Sequence, residues 1–289
     1  MFCRDLWLLM KPELTLLSVF TSLGSAFLAI QIAQESQLLI FPLLAAGTLL
    51  VGGGSGVLNQ FIERDYDLIM KRTQKRPIPD GRITPNEALI FGIIISVIGT
   101  GILFLINWLT AFLALATLVT YVFLYTPLKR ISPISTIIGA VPGALPTLIG
   151  WAAIQNSLSY QSLTLFAILF YWQMPHFHSI GWLYRNDYIK AGFKILTCVD
   201  LSGKKVAVQI IVHQTVLLFA ALTPVLVGLV SSEYLPVSII LSSVFLFFGI
   251  RFSRSLKDDS SSAAARQLFF SSLFFLPIIF SAMIIFKIH

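Results

Sequence analysis

Asn59, Glu63 and Asp67 fall at i, i+4 and i+8 in the stretch Asn59-Gln-Phe-Ile-Glu63-Arg-Asp65-Tyr-Asp67. If that stretch is helical, the three side chains form one row, with an oxygen ligand on each successive turn. Hard oxygen donors in a row suit Mg²⁺, which takes one or two carboxylates and leaves its other positions to water and phosphate oxygens. Lys71, Arg72, Lys75 and Arg76 follow within a turn or two. Arginine forks onto phosphate oxygens, so carboxylates for a metal beside these cations describe a receptor for a metal-diphosphate. The same spacing also describes a solvated juxtamembrane loop of mixed charge that binds anionic lipid.

Two further clusters carry chemistry. Trp172-Gln-Met-Pro175-His176-Phe-His178 is followed by Tyr184-Arg185-Asn186-Asp187-Tyr188. Asp187 either supplies an acid facing the first row or pairs with Arg185 or Lys190. His176 and His178 are ionisable residues inside an apolar stretch, which are functional candidates by default. A neutral histidine hydrogen-bonded between helices is the plainer account of each, and His213 reads as structural. Tyr125-Thr-Pro127-Leu-Lys129-Arg130 places two adjacent cations where the same diphosphate or a carboxylated substrate would meet them. Basic helix ends are also what membrane topology requires, so this cluster alone is a weak signal.

The elements that position these residues are read from hydropathy. Of the 289 residues, 56% are hydrophobic and 11% charged, against about 25% charged in an ordinary soluble domain. Mean hydropathy is +0.86. Stretches long enough to cross a bilayer occur at roughly 13–33, 38–59, 88–106, 109–126, 134–154, 161–182, 206–230, 234–250 and 268–286. Such stretches as Leu38–Leu58 and Ala88–Ile106 lack the polar stripe of a buried soluble helix. The fold expected is all-α: a polytopic membrane protein with a bundle of about nine transmembrane helices. One domain over 1–289 is expected, with site loops at about 60–87 and 183–205. Gly52-Gly53-Gly54 in the second span, and Pro142 and Pro146 in the fifth, are read as breaks.

The charge distribution orients the bundle. Every one of the 20 Lys and Arg residues except Lys287 falls at one end of these spans, which the positive-inside rule assigns to the cytoplasm. The net charge of +7 is therefore a topology signal and does not indicate nucleic acid. The N-terminus is expected inside and the C-terminus outside. The opposite connections, around Gln34–Gln37, Asn107–Trp108, Gln155–Tyr160 and Ser231–Glu233, are short and nearly uncharged. Cys3 and Cys198, the only two cysteines, imply no disulfide framework or cysteine zinc site. No cleavable signal or transit peptide is read at the start, and a bacterial inner membrane is the simplest home.

Together the clusters resemble the intramembrane (UbiA-type) prenyltransferase superfamily. Its Asn-x-x-x-Asp-x-x-x-Asp-type motif matches Asn59, Glu63 and Asp67, with Glu where Asp is more usual, and its second acidic motif matches Asp187. Within it the chain is most similar to the protohaem IX farnesyltransferase (haem O synthase) family. That likeness rests on Arg72-Thr73, Lys75-Arg76-Pro77, Tyr125–Arg130, Trp172-Gln173-x-Pro175-His176-Phe177 and Asp187-Tyr188-x-x-x-Gly192. Glu13, Asp80 and Thr197 depart from the pattern, and Leu183 and Ala191 leave the second motif with one acid.

The resemblance implies Mg²⁺ on Asn59, Glu63, Asp67 and Asp187. It implies diphosphate on Arg72, Lys75, Arg76, Lys129 and Arg130, and haem at His176 and His178. Farnesyl diphosphate and haem B are the implied substrates, haem B being substrate rather than cofactor. The lipid bilayer is the implied environment, and proteins of haem A formation or oxidase assembly are implied contacts. A prenyltransferase acting on a quinone precursor, and a transporter or lipid-binding membrane protein, are the competing readings.

Overall fold

The computed structural model describes residues 2–31, 35–257 and 260–288. Part of the Gln34–Gln37 connection therefore lies outside the described residues. A short helix, α1 (Phe2–Leu9), leads into α2 (Pro12–Ala29). After a 3₁₀ turn come α3 (Ile40–Asp67), α4 (Pro85–Ile106) and α5 (Trp108–Val119). The last of these runs through a π-helical segment, Thr120–Tyr125, into the single turn α6 (Thr126–Leu128). The second half holds α7 (Ser135–Gln155), α8 (Tyr160–Leu183), the short α9 (Arg185–Lys190) and α10 (Leu196–Val199), then α11 (Lys204–Ala220). It closes with α12 (Thr223–Leu226), α13 (Tyr234–Ser255) and α14 (Ser261–Ile285).

Among the described residues, eight helical segments are long and apolar enough to cross a membrane. The expected sixth span, α8, has 24 residues but falls outside that set. Its composition explains this: Gln173, His176 and His178 interrupt it, and all three are buried. A helix enclosed by protein has no need of an apolar surface, because its polar groups find partners on its neighbours. Here the neighbours are α7, α11 and α14.

Helix α3 differs from its expected span at its end. Its 28 residues make a rod of about 42 Å, longer than the roughly 30 Å hydrocarbon layer. The last turns, which carry Asn59, Glu63 and Asp67, therefore rise past the apolar stretch. Gly52-Gly53-Gly54 does not break this helix, and Pro142 and Pro146 do not break α7; both helices are continuous. The glycines serve close approach instead. A Cβ at Gly99 of α4 would meet the carbonyl oxygen of Gly47 and the backbone nitrogen of Val51 at 2.9 Å each.

At the end opposite the cationic loops, polar side chains tie helix termini together. Asn107 Nδ2 donates to the carbonyl of Ala152 (2.8 Å), and Gln155 Nε2 donates to that of Ala29 (2.6 Å). Lys287 donates to the carbonyls of Phe27 and Ile30. These bonds hold α2, α4, α7 and α14 in register.

Gly99→Val is expected to force α3 and α4 apart and destabilise the detergent-solubilised protein by about 1–3 kcal/mol. A denaturation midpoint equal to that of the parent protein would show that the glycine contact is dispensable.

Candidate functional site

The row forms as the spacing predicts, and it is buried: Asn59 is 0% exposed, Glu63 5% and Asp67 2%. Buried acids need partners, and each member of the row has a cation. Lys11 donates to Asn59 Oδ1. Lys129 pairs with Glu63. Arg76 Nη1 lies 2.7 Å from Asp67 Oδ2.

Local chain geometry delivers each cation. Thr73 Oγ1 donates to the carbonyl of Asp67 (2.9 Å), which folds the loop after α3 back on the helix end and returns Arg76 to the row. Lys129 follows the π-helical segment. There Thr126 Oγ1 donates to the Tyr121 carbonyl (2.8 Å) and accepts from Asn59 Nδ2 (2.9 Å). Single π-helical turns inside α-helices are frequent at functional sites; this one aims Tyr121 and Tyr125 inward and sets Thr126 against Asn59. Lys11 stands at the joint of α1 and α2 with φ 51° and ψ 64°, a backbone region costly for a side chain larger than glycine.

With Lys11 protonated, three cations against two carboxylates leave the cluster with excess positive charge. Burial, reinforced by the charge of Arg76, pulls the Lys11 ammonium down to about 7 despite the opposing Glu63 carboxylate. Burial also lowers Lys129, but Glu63 beside it outweighs this and holds its ammonium above the ordinary range. The site suits an added anion.

The remaining expected residues are placed around this centre. Arg72, exposed, donates to the Tyr188 hydroxyl (3.1 Å) and lies over the ring of Tyr184. Arg130 stacks on Tyr66 at 4.0 Å. Met70, Ala191 and Phe193 bring the loop after α3 against the loop after α8. Asp187 lies half-buried on α9 in that second loop. It does not complete a three-residue cluster of His, Cys, Asp or Glu among the described residues. Lys75 is exposed, and its carbonyl accepts from Arg82 (2.7 Å).

Beneath the row lies a cavity of about 1000 Å³, the open space at its mouth included. Lys11, Tyr121 and Tyr125 line it near the row, and Trp172, Gln173 and His176 line its wall on α8. Gln173 Nε2 donates to the Ala140 carbonyl (2.7 Å), across a contact that Gly143 keeps open. Trp172 stacks on His176 at 5.1 Å, and its indole N–H donates to the Ser272 carbonyl (2.8 Å).

His176 Nδ1 lies 2.7 Å from Ser272 Oγ. That hydroxyl has one proton, which it gives to the Phe269 carbonyl (2.5 Å), so it accepts from His176 Nδ1–H. The Nε2 lone pair is thereby left for a ligand. His178 is buried but does not line this cavity.

Sequence reasoning missed Lys11, Thr126 and Ser272 as site residues. Lys11 beside Pro12 was visible as a cation at a helix start. Nothing in the sequence tied Thr126 to Asn59 or Ser272 to His176.

The UbiA prenyltransferase family model matches residues 18–274. The chain is similar to the protoheme IX farnesyltransferase of Koribacter versatilis, at 40% identity over 98% of this chain and 93% of that one. In fold it is similar to a structure described for digeranylgeranylglyceryl phosphate synthase (TM-score 0.78, 17% identity, covering 98% of this chain and 97% of that one). It is likewise similar to a UbiA homologue from Archaeoglobus fulgidus bound to GPP and Mg²⁺ (TM-score 0.67, 14% identity, covering 96% and 99%).

Thr126→Val removes the acceptor of the buried Asn59 amide and is expected to cost about 1–3 kcal/mol of stability. Thr126→Ser should restore most of it, as read from thermal unfolding in detergent. Equal losses in the two variants would assign the effect to packing.

Proposed function

The chain belongs to the UbiA prenyltransferase family, and we propose that it transfers a farnesyl group from farnesyl diphosphate to a vinyl group of haem B, with addition of water, giving haem O. The observation that carries this reading is one cavity shared by two chemistries. Lys11, which touches Asn59, and His176, whose Nε2 is free for a ligand, line the same space. The printed names of the relatives favour the same reaction.

Asn59 Oδ1, the Glu63 and Asp67 carboxylates and Asp187 on the facing loop are assigned to Mg²⁺. The donor set fits, being all oxygen and carboxylate-rich. A homologous fold has been seen with Mg²⁺ and a prenyl diphosphate. When bound, Mg²⁺ supplies electrostatic stabilisation of the charge that builds on the diphosphate as the allylic C–O bond breaks.

Arg76 and Lys129, already at the row, are assigned to the diphosphate oxygens. Arg72 and Arg130 contribute from the rim, and Lys75 as an outer charge. Aromatic and aliphatic walls exclude water from the cavity while the cation persists. The vinyl π electrons form the new C–C bond, and water then adds to the resulting side-chain cation and loses a proton. His176 Nε2 orients the haem through its iron; His178, turned from the cavity, is the lesser candidate. Surplus cations meet the propionates.

The basic end of the bundle is assigned to the cytoplasm, in a bacterial inner membrane, with the C-terminus outside. Haem O leaving such a site reaches haem-A-forming or oxidase-assembly proteins through the bilayer or by contact.

Incubating membranes with haem B, Mg²⁺ and farnesyl diphosphate should yield haem with the mass of one added farnesyl group and one hydroxyl group. Prenylation of a quinone precursor instead would replace this reading with that of a sister enzyme. Asp67→Ala is expected to lower turnover at least about 100-fold in a folded protein; near-parental turnover would remove the diphosphate assignment. His176→Ala is expected to weaken or shift the Soret band of the haem complex, and an unchanged spectrum would remove the ligand role.

A further inference from the structure

Each residue of the row is held by a cation of the chain itself, and at Asn59 the cover is complete. A carboxylate held by one cation keeps a second oxygen, as Glu63 and Asp67 do. An amide has only one. Asn59 Nδ2 is committed to Thr126 Oγ1 at 2.9 Å, which fixes the amide and turns Oδ1 to Lys11. An ammonium and a divalent cation cannot share that oxygen without strong repulsion.

Lys11 is held at this position from several sides. Thr15 Oγ1 donates to the Met10 carbonyl (2.6 Å). Gln60, next to Asn59 in α3, donates to the Leu9 carbonyl (2.9 Å). A Cβ at Gly56 would meet the Met10 carbonyl oxygen at 3.1 Å, so the joint of α1 and α2 sits directly on α3. The backbone of Lys11 is left-handed, which sets the direction of its side chain without the help of glycine.

The side chain has a second place to go. Lys11 lines the cavity, and its Nζ lies 5.9 Å from the Tyr121 ring centroid. That is the boundary between the polar row and the apolar interior. A prenyl diphosphate with its phosphates on the row and its tail in the cavity would set its bridging oxygen at this boundary. Arg76 and Lys129 are paired with Asp67 and Glu63 and are not among the residues lining the cavity.

We propose that Lys11 is an exchange residue: it covers Asn59 Oδ1 until metal and diphosphate arrive together, then transfers its ammonium to the phosphate nearest the prenyl chain. This rests on the metal-diphosphate reading above. It adds that metal alone is disfavoured, that metal and diphosphate bind with positive coupling, and that Lys11 carries much of that coupling. Coupling of this kind is reciprocal, so diphosphate raises metal affinity by the factor by which metal raises diphosphate affinity.

The test uses full-length protein in detergent, with Mn²⁺ as the metal probe and inorganic pyrophosphate as the anion, bound Mn²⁺ being read by electron paramagnetic resonance. The parent protein is expected to bind Mn²⁺ at least about 10-fold more tightly with pyrophosphate present. In Lys11→Met and Lys11→Gln, Mn²⁺ alone should bind more tightly than to the parent, and the gain from pyrophosphate should shrink several-fold. Lys11→Arg should keep the parental coupling. Size-exclusion profiles identify folded variants, and either neutral variant suffices.

Unchanged or weaker Mn²⁺ binding in a folded neutral variant, or undiminished coupling, overturns the exchange role while leaving the metal site standing. If Asp67→Ala binds Mn²⁺ and pyrophosphate as the parent does, the metal-diphosphate reading fails, and the exchange role fails with it.

Discussion

Charge held at the edge of a bilayer has to be balanced within the protein, because water and salt screen it poorly there. Asn59, Glu63 and Asp67 occupy almost fully buried positions on one face of α3, and much of the surrounding structure is the means of balancing them. The loop after α3 doubles back through Thr73 so that Arg76 reaches Asp67. The π-helical turn before α6 brings Thr126 to Asn59, ahead of the lysine that reaches Glu63. The joint of α1 and α2 takes a left-handed backbone at a lysine so that a third cation reaches Asn59. Arg82 supports the same end of the molecule by pairing with the buried Asp5 of α1 and with Asp80.

Beneath that balanced layer the constraint changes from charge to space. Glycines at close helix contacts let α3 and α4 pack backbone to backbone. Helix α7 carries Gly139, Pro142 and Gly143 on the cavity side, where small or flat residues leave room. Polar groups in this region are matched one by one across helices, Gln173 to Ala140 and Trp172 to Ser272. Such matching explains how α8 carries Gln173 and His176 at membrane depth without exposing them to lipid, whereas the buried His178 Nε2 has no hydrogen-bond partner among the described residues.

The legible parts of this protein were those set by short-range spacing or by bulk transfer energy. The long rods of the bundle followed from apolar length, save α8 with its buried polar residues, and the row from a four-residue spacing. The resemblance drew attention to Trp172, Gln173 and His176. What stayed hidden depended on long-range pairing. Lys11 and Asn59 are 48 residues apart, Asn59 and Thr126 are 67 apart, and His176 and Ser272 are 96 apart. A basic residue at a helix end is also what topology demands, so Lys11 could not be told from its neighbours. Lys75 lies in the same basic run but is exposed, and spacing alone does not distinguish it from Arg76, which turns back to Asp67. The glycine triplet and the α7 prolines looked like breaks because local propensity treats them so; packing on both sides overrode it.

The division of labour across the cavity follows from these pairings. The row and its cations come from the α1–α2 joint, α3, its loop and the turn before α6, whereas the Trp172–His176 wall is fixed by α14. Ser272 gives its only proton to its own helix, and that choice determines which nitrogen of His176 stays open. On the proposed reading, ionisation of the donor is governed mainly by the first half of the chain, joined by Asp187 of α9, and acceptance by α8 and α14. The cavity joins them. Acceptor specificity can then change through α8 and α14 while the diphosphate chemistry on α3 stays intact, because no hydrogen bond of the row reaches either of those helices among the described residues.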